Sequence, residues 1–464
     1  MSDKTALYWF TNDLRLKDNM ALEHVARQSQ RLAFLYVFNP AWIAPRNYQH
    51  RLVGEFSLQF IIESLIDLEQ QLRAMGHRFH ILIGNPVDII SNIVQQNGID
   101  IIGCNAHSGW YERKTHQSIQ QRLTPNSLHT RWNNYLYSPE QLNSHQQSST
   151  KKESLSILKS FSTFRQFVEQ RDIFPTLAQI EQPLNLPEPL DLKGLFKKVQ
   201  DLSDFLKMND NKLSRLENAQ NLSFNPGELA AQCHLNDYFG TSSPSTYKQT
   251  RNALDGWDNS TKFSPYLAHG NLSPRQIWKA VNTYEAINIK NDDTYWIKFE
   301  LLWREYFNWV ALKIGSTLFR FRGMASSPPL TSFFAERFTK WCQGSTPYPL
   351  VNACMKQLNA TGYMSNRGRQ LTASCLINEL GIDWRYGAAY FQERLIDHDV
   401  ASNWGNWQYI AGVGTDPRGG RHFNLEKQTQ MFDPHHEFIH KWQGDEHTAA
   451  LDSLDASGWP IGMK

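Results

Sequence analysis

Nothing in this sequence approaches the length of a membrane span. The longest unbroken apolar runs, such as Ala33-Phe34-Leu35-Tyr36-Val37-Phe38, fall far short of the roughly 18–20 residues that a bilayer requires. Met1-Ser2-Asp3-Lys4-Thr5 leads straight into an apolar run without a charged-then-apolar leader, so a cytoplasmic protein with no membrane partner is expected. Cysteine is scarce as well. Cys104, Cys233, Cys342, Cys354 and Cys375 are odd in number and contain no Cys-x-x-Cys pair, which excludes a disulfide scaffold and offers no zinc spacing. No metal site is expected, and the thiols read as reduced and mostly buried. An excess of one charge is also missing. At a net charge of +2 the whole-molecule field announces no polyanion, so any nucleic-acid contact has to be a local patch. The first turn, Thr11-Asn12-Asp13-Leu14-Arg15, lacks the Gly-x-Gly-x-x-Gly dinucleotide fingerprint, and the chain has no internal repeat.

What is present is the material of a globular protein. Of 464 residues 41% are apolar and 20% charged, which opposes disorder, and the length suggests two domains. Fifteen tryptophans exceed what core packing alone demands and suit stacking surfaces or electron transfer. Short apolar runs at 6–10, 32–38, 79–83 and 99–104 read as buried parallel strands. Between them, Phe60, Ile61, Leu65, Leu68 and Leu72 recur at helical spacing. The fold class expected is α/β plus all-α. Residues 1–135 form a doubly wound parallel sheet domain, and 136–209 form a linker rich in Ser, Gln, Pro and Lys with one helix near Phe161 to Glu169. Within it, Gln182 to Pro189 cannot be regular helix. Residues 210–464 form a helical domain, with long amphipathic helices over Thr294 to Ile314 and Arg367 to Leu380.

Four constellations could carry chemistry. On the WIKFELLWREYFNW helix, Glu300, Trp303, Arg304 and Phe307 share a face; the plainest reading is a surface Glu300–Arg304 pair, but Trp303 and Phe307 on that face want burial. In NATGYMSNRGRQL, Asn366, Arg369 and Gln370 line one face of a capped helix while Arg367 points elsewhere; this is either a solvated first turn or a set of donors for phosphates or a base edge. In LIDHDVASNWGNWQY, Asp397 and Asp399 alternate. They make a poor metal site, Asp397 opposite Arg369 would be a buried ion pair, and His398 reads as an exposed loop histidine. Finally Ser260, Thr261, Lys262 and Ser264 form a hydroxyl-rich basic turn before a helix, an ordinary cap or a phosphate cradle.

Taken in order, these strings resemble the photolyase and cryptochrome family. WFTNDLRLKDNMAL at 9–22 is similar to its opening motif, and 240–442 follows its flavin-binding domain almost without gaps. The resemblance implies an α/β antenna domain plus a helical domain holding FAD. By the same resemblance, Tyr247 and the turn Ser260, Thr261, Lys262, Phe263 and Ser264 hold the FAD diphosphate and ribose. Glu300 and Arg304 border the flavin and substrate cavity, Trp303 is a stacking wall for a flipped pyrimidine dimer, and Asn366 touches both substrate and flavin. Arg369 and Asp397 lie beside the isoalloxazine, Asp399 accepts a hydrogen bond from the flavin, and Asn403 faces its N5. Arg251 and Arg367 match positions that grip DNA phosphates. Glu300, Trp303 and Asn366 are the residues implied for catalysis.

Gln370 and Tyr409, where other dimer photolyases carry methionine and tryptophan, resemble the DASH-type branch. That branch implies light-driven repair of cyclobutane pyrimidine dimers, mainly in single-stranded DNA, by a monomer. Trp384 and Trp407 match two members of a photoreduction chain whose outer position falls on Thr331. Glu112 matches a position that contacts a folate antenna, 5,10-methenyltetrahydrofolate, in relatives. Thr11 departs from the arginine usual in the opening motif. The rival reading is a blue-light photoreceptor that binds FAD with little repair. Signalling members often carry a long tail, whereas about 20 residues follow Trp442, which favours the enzyme.

Overall fold

The computed structural model describes residues 4–125, 127–144, 156–176, 185–192, 199–209, 223–416, 418–446 and 451. Five strands, β1 (Thr5–Phe10), β2 (Arg31–Phe38), β3 (Phe79–Ile83), β4 (Ile101–Asn105) and β5 (Leu128–Arg131), pair in the order β3-β2-β1-β4-β5, all parallel. Helices cover both faces, which is why the strands are continuously apolar. Ala6, Tyr8 and Phe10 of β1 enter one core while Leu7 and Trp9 enter the other. The strand β5 escaped sequence reading because its residues, Leu-His-Thr-Arg, are only half-buried at the sheet edge and make no apolar run.

Of the stretch Gln182 to Pro189, residues 182–184 lie outside the described residues, while β6 (Glu188–Pro189) pairs with the start of β2. The Val199–Asn209 helix inserts Val199, Leu202 and Leu206 into the sheet's core. The Phe161–Gln170 helix packs instead into the core of the helical domain. The segment between the two domains therefore contributes structure to both.

In the helical domain the Asp292–Ile314 helix is closed by a reciprocal capping box, in which Asn291 accepts from the Thr294 N–H and Thr294 Oγ1 accepts from the Asn291 N–H. The helix expected over Arg367 to Leu380 is regular only over Asn366–Ser374. Its backbone then widens into a π-turn over Cys375–Glu379, a distortion that often accompanies functional sites.

The opening motif fastens one domain to the other. Arg15 is fully buried, and its guanidinium donates to the carbonyls of Lys17, Asp18, Asn133 and Gly270 and to Asn134 Oδ1, at 2.6–3.0 Å. Arg275, from the helical domain, pairs with Asp18 at 2.8 Å and donates to the carbonyls of Trp132, Asn133 and Tyr135. Glu228 accepts the backbone N–H groups of Leu16 and Lys17. Gly270 closes the contact: it sits at φ 76, and a Cβ there would lie 2.1 Å from the Asn12 carbonyl oxygen, so no side chain is tolerated. Truncating Arg275 removes the ion-pair partner of the buried Asp18 carboxylate and the donor to the carbonyls of Trp132 and Tyr135. Arg275→Ala is accordingly expected to cost about 3–5 kcal/mol, read as a shift of the urea unfolding midpoint; a midpoint that stays put contradicts this assignment.

Candidate functional site

A cavity of about 600 Å³ opens in the helical domain. The Asp292–Ile314 helix gives it Glu300, Trp303, Arg304 and Phe307. The simple intrahelical pair does not form here. Glu300 Oε1 meets Arg251 at 2.7 Å and accepts from Trp296 Nε1 at 3.2 Å. Arg304 donates to the carbonyls of Asn134 (2.7 Å) and Leu267 (3.4 Å) and stands 3.6 Å from Asp399. Partners from other elements outcompete a neighbour on the same helix because both groups leave water and need geometry that an exposed pair does not supply. Burial raises the Glu300 carboxyl above the ordinary range, with Arg251 and Trp296 pulling against it. Arg251 is thus turned inward onto Glu300.

The Asn366–Ser374 helix, capped by Ser365 on the Gly368 N–H, brings Asn366, Arg369 and Gln370 to the cavity. Arg367 does not point elsewhere. It lines the same cavity and donates to Asn252 at 3.1 Å. Arg369 and Asp397 form a buried ion pair at 2.7 Å, steadied by Arg369 Nε donating to the Met364 carbonyl at 2.9 Å. Asp399 caps the Val400–Ile410 helix through the Ser402 N–H at 2.8 Å; burial pushes its carboxyl up, but Arg304 and Ser402 hold it below the usual value.

His398 is no exposed loop residue. It lines both cavities, and burial takes its pKa down to about 4 against the pull of the Asp399 and Asp397 charges. Asn403 Nδ2 donates to the Ala388 carbonyl at 2.9 Å, which leaves the side-chain oxygen for the cavity.

Tyr247, Ser260, Thr261, Lys262, Phe263 and Ser264 close the other end of the cavity. Lys262 adopts a left-handed conformation (φ 52), and the Thr261 carbonyl accepts from His234 at 2.9 Å. Tyr409 stands edge-on to Trp303 at 5.8 Å and accepts from Arg421 at 2.6 Å. Trp407 is buried on the cavity wall against Trp341 (6.2 Å), and Trp384 is buried against Trp404 (5.8 Å). Sequence reasoning missed Arg421, which lines this cavity. Arg421 sits in a glycine-rich loop with no pattern of its own.

A second cavity of about 1160 Å³ lies where the carboxyl end of β1 meets the helical domain, the switch point at which parallel α/β sheets take ligands. Trp9, Asn12, Trp42, His107 and Glu112 line it, with Glu112 3.9 Å from His107. Ala268, His398 and Asp399 border both cavities.

His269 lies in the wall of the second cavity, stacked on Phe60 and donating to the Ile396 carbonyl at 2.8 Å; burial lowers its pKa to about 4. The unfolded chain takes up this proton near pH 6.5 and the folded one only near 4. Stability is therefore lost as pH falls through that window. His269→Gln is expected to flatten the decline in unfolding free energy between pH 6.5 and 4 in a series of urea titrations, and an unaltered slope counts against it.

Comparison with known proteins agrees with this geometry. Residues 6–179 match a family model for DNA photolyase, and 296–448 match one for the FAD binding domain of DNA photolyase. The chain is 46% identical over 458 residues to a protein named Cryptochrome DASH from Idiomarina loihiensis, covering 99% of this chain and 97% of that one. It is 44% identical to a Cryptochrome DASH from Vibrio parahaemolyticus, covering 99% and 98%. The crystal structure of a Synechocystis sp. PCC6803 cryptochrome superimposes with a TM-score of 0.84 at 34% identity, covering 96% of this chain and 91% of that one. With relatives named Cryptochrome DASH aligned along almost its whole length and a photolyase model matched in each domain, this chain belongs to the photolyase and cryptochrome family, on its DASH side.

Proposed function

We propose that this chain splits cyclobutane pyrimidine dimers with light, preferentially in single-stranded DNA, using FAD. The observation that carries the reading is one cavity bordered at once by Glu300, Trp303, Asn366, Gln370 and Tyr409 and by the Arg369–Asp397 pair and Asn403. The first group suits an extruded base pair and the second suits a flavin.

The residues present fit FAD. Asp397 Oδ1 lacks a hydrogen-bond partner although its side chain is only 1% exposed, and a buried acceptor on a cavity wall calls for an N–H donor of the kind an isoalloxazine carries. The hydroxyls of Ser260, Thr261 and Ser264 with Lys262 supply donors for a diphosphate. Bound there, reduced FAD would on excitation by light lend the electron that opens the dimer and take it back once the ring has split.

The chain's own work is to place the dimer and stabilise its charge. Trp303 and Tyr409 give flat and edge-on aromatic surfaces for a base. Glu300, whose carboxyl burial pushes up against the pull of Arg251 and Trp296, is the group proposed to hydrogen-bond a pyrimidine carbonyl as negative charge develops there. Arg367 supplies local positive charge for phosphates on a chain of small net charge, while Arg251, engaged by Glu300 at 2.7 Å, contributes less. Gln370 and Tyr409 replace apolar grip with polar groups, which favours a substrate that need not be unpaired first. The second cavity, with Trp9, Trp42 and Glu112, is proposed to take the folate antenna 5,10-methenyltetrahydrofolate.

The test is to illuminate flavin-loaded protein with dimer-bearing single- and double-stranded oligonucleotides. Dimers disappear faster from the single strand, and Glu300→Ala slows that loss roughly ten- to hundredfold while the flavin spectrum stays. Dimers that persist on both substrates, despite bound flavin, leave the photoreceptor reading in its place. In parallel, Arg367→Ala weakens binding to all sequences alike and reduces the salt dependence of log affinity by about one phosphate contact; an unchanged salt slope removes Arg367 from the DNA face.

A further inference from the structure

Phe161 comes from the stretch between the domains, yet its ring lies face to face on the Trp303 indole, with centroids 3.8 Å apart and planes 10° from parallel. Helical spacing explains the meeting. Glu300, Arg304 and Phe307 line the cavity from one stripe of the Asp292–Ile314 helix. Tyr295, Phe299 and Tyr306 form the adjoining stripe, and the Phe161–Gln170 helix lies along it. Glu169 accepts from the Tyr295 hydroxyl at 2.5 Å, Arg165 sits over the Phe299 ring at 5.5 Å, and Phe164 packs on Tyr306 at 5.8 Å. Trp303 stands on the seam between the stripes. Phe161 is 6% exposed and is not among the residues lining the cavity, whereas Trp303 is.

We propose that Phe161 is the positioning residue for Trp303, so that the linker helix takes part in lesion recognition. A ring stacked at 3.8 Å leaves no room for a base on that side of the indole, and an incoming pyrimidine is offered the cavity side alone. The same contact removes the freedom of Trp303 to swing about its side-chain bonds, so its ordering cost is met before the substrate arrives. This inference rests on the repair reading above.

The experiment measures, in the dark and with flavin-loaded protein, the affinity for a single-stranded oligonucleotide carrying one thymine dimer and for its undamaged twin. Leucine at 161 keeps an apolar side chain in the core but offers no ring face. F161L is expected to weaken dimer binding roughly two- to tenfold, to leave the undamaged twin unaffected, and to change nothing further in a W303A background. F161Y restores the affinity. The proposal is overturned if F161L binds the dimer like the parent, if F161L loses the undamaged twin equally, or if its effect persists undiminished beside W303A. A parent protein that does not prefer the dimer at all removes the repair reading, and this role with it, a result distinct from the other three.

Discussion

Arg15 and Arg275 are buried side by side in a knot of backbone carbonyls, with the Asp18 carboxylate paired to Arg275 and the Asp18 carbonyl accepting from Arg15. Two guanidiniums in such proximity are tolerable only because their donors have fixed acceptors and because Asp18 neutralises part of the charge. The knot also reaches the site. Asn134 accepts from Arg15 through its side chain and from Arg304 through its backbone, so the group that orients Arg304 is itself held by the contact between the domains. The sheet domain acts in this way as the footing of the helical cavity.

The Asp292–Ile314 helix shows how one element can serve several masters. One stripe faces the cavity, the next faces the linker helix, and Glu305 on a third accepts the backbone N–H groups of Leu136 and Tyr137 and the Trp309 indole. A helix committed on every side is rigid, and a rigid helix holds Glu300 and Trp303 in place better than a loop would.

The parts legible in the sequence were those where burial dictates composition. Strands covered on both faces had to be apolar, and the long helix carried a regular apolar spacing over Thr294 to Ile314. The opposition of Arg369 to Asp397 was legible because two polar groups in otherwise apolar surroundings need each other. Where the reading went astray, the deciding partner came from elsewhere in the chain. Spacing alone offered Glu300 an ion-pair partner only in Arg304; it took the fold to bring Arg251. His398 looked like a loop residue because its enclosure is built by distant elements, and the π-turn after Ser374 leaves no signature in the order of its residues. The edge strand β5 was invisible for the opposite reason, since a half-buried edge does not demand apolar side chains.

The partition made by Ala268, His398 and Asp399 has two wet sides. A side-chain movement at these three residues alters the wall of both chambers at once, and any preference it creates between two occupants is felt equally in both directions.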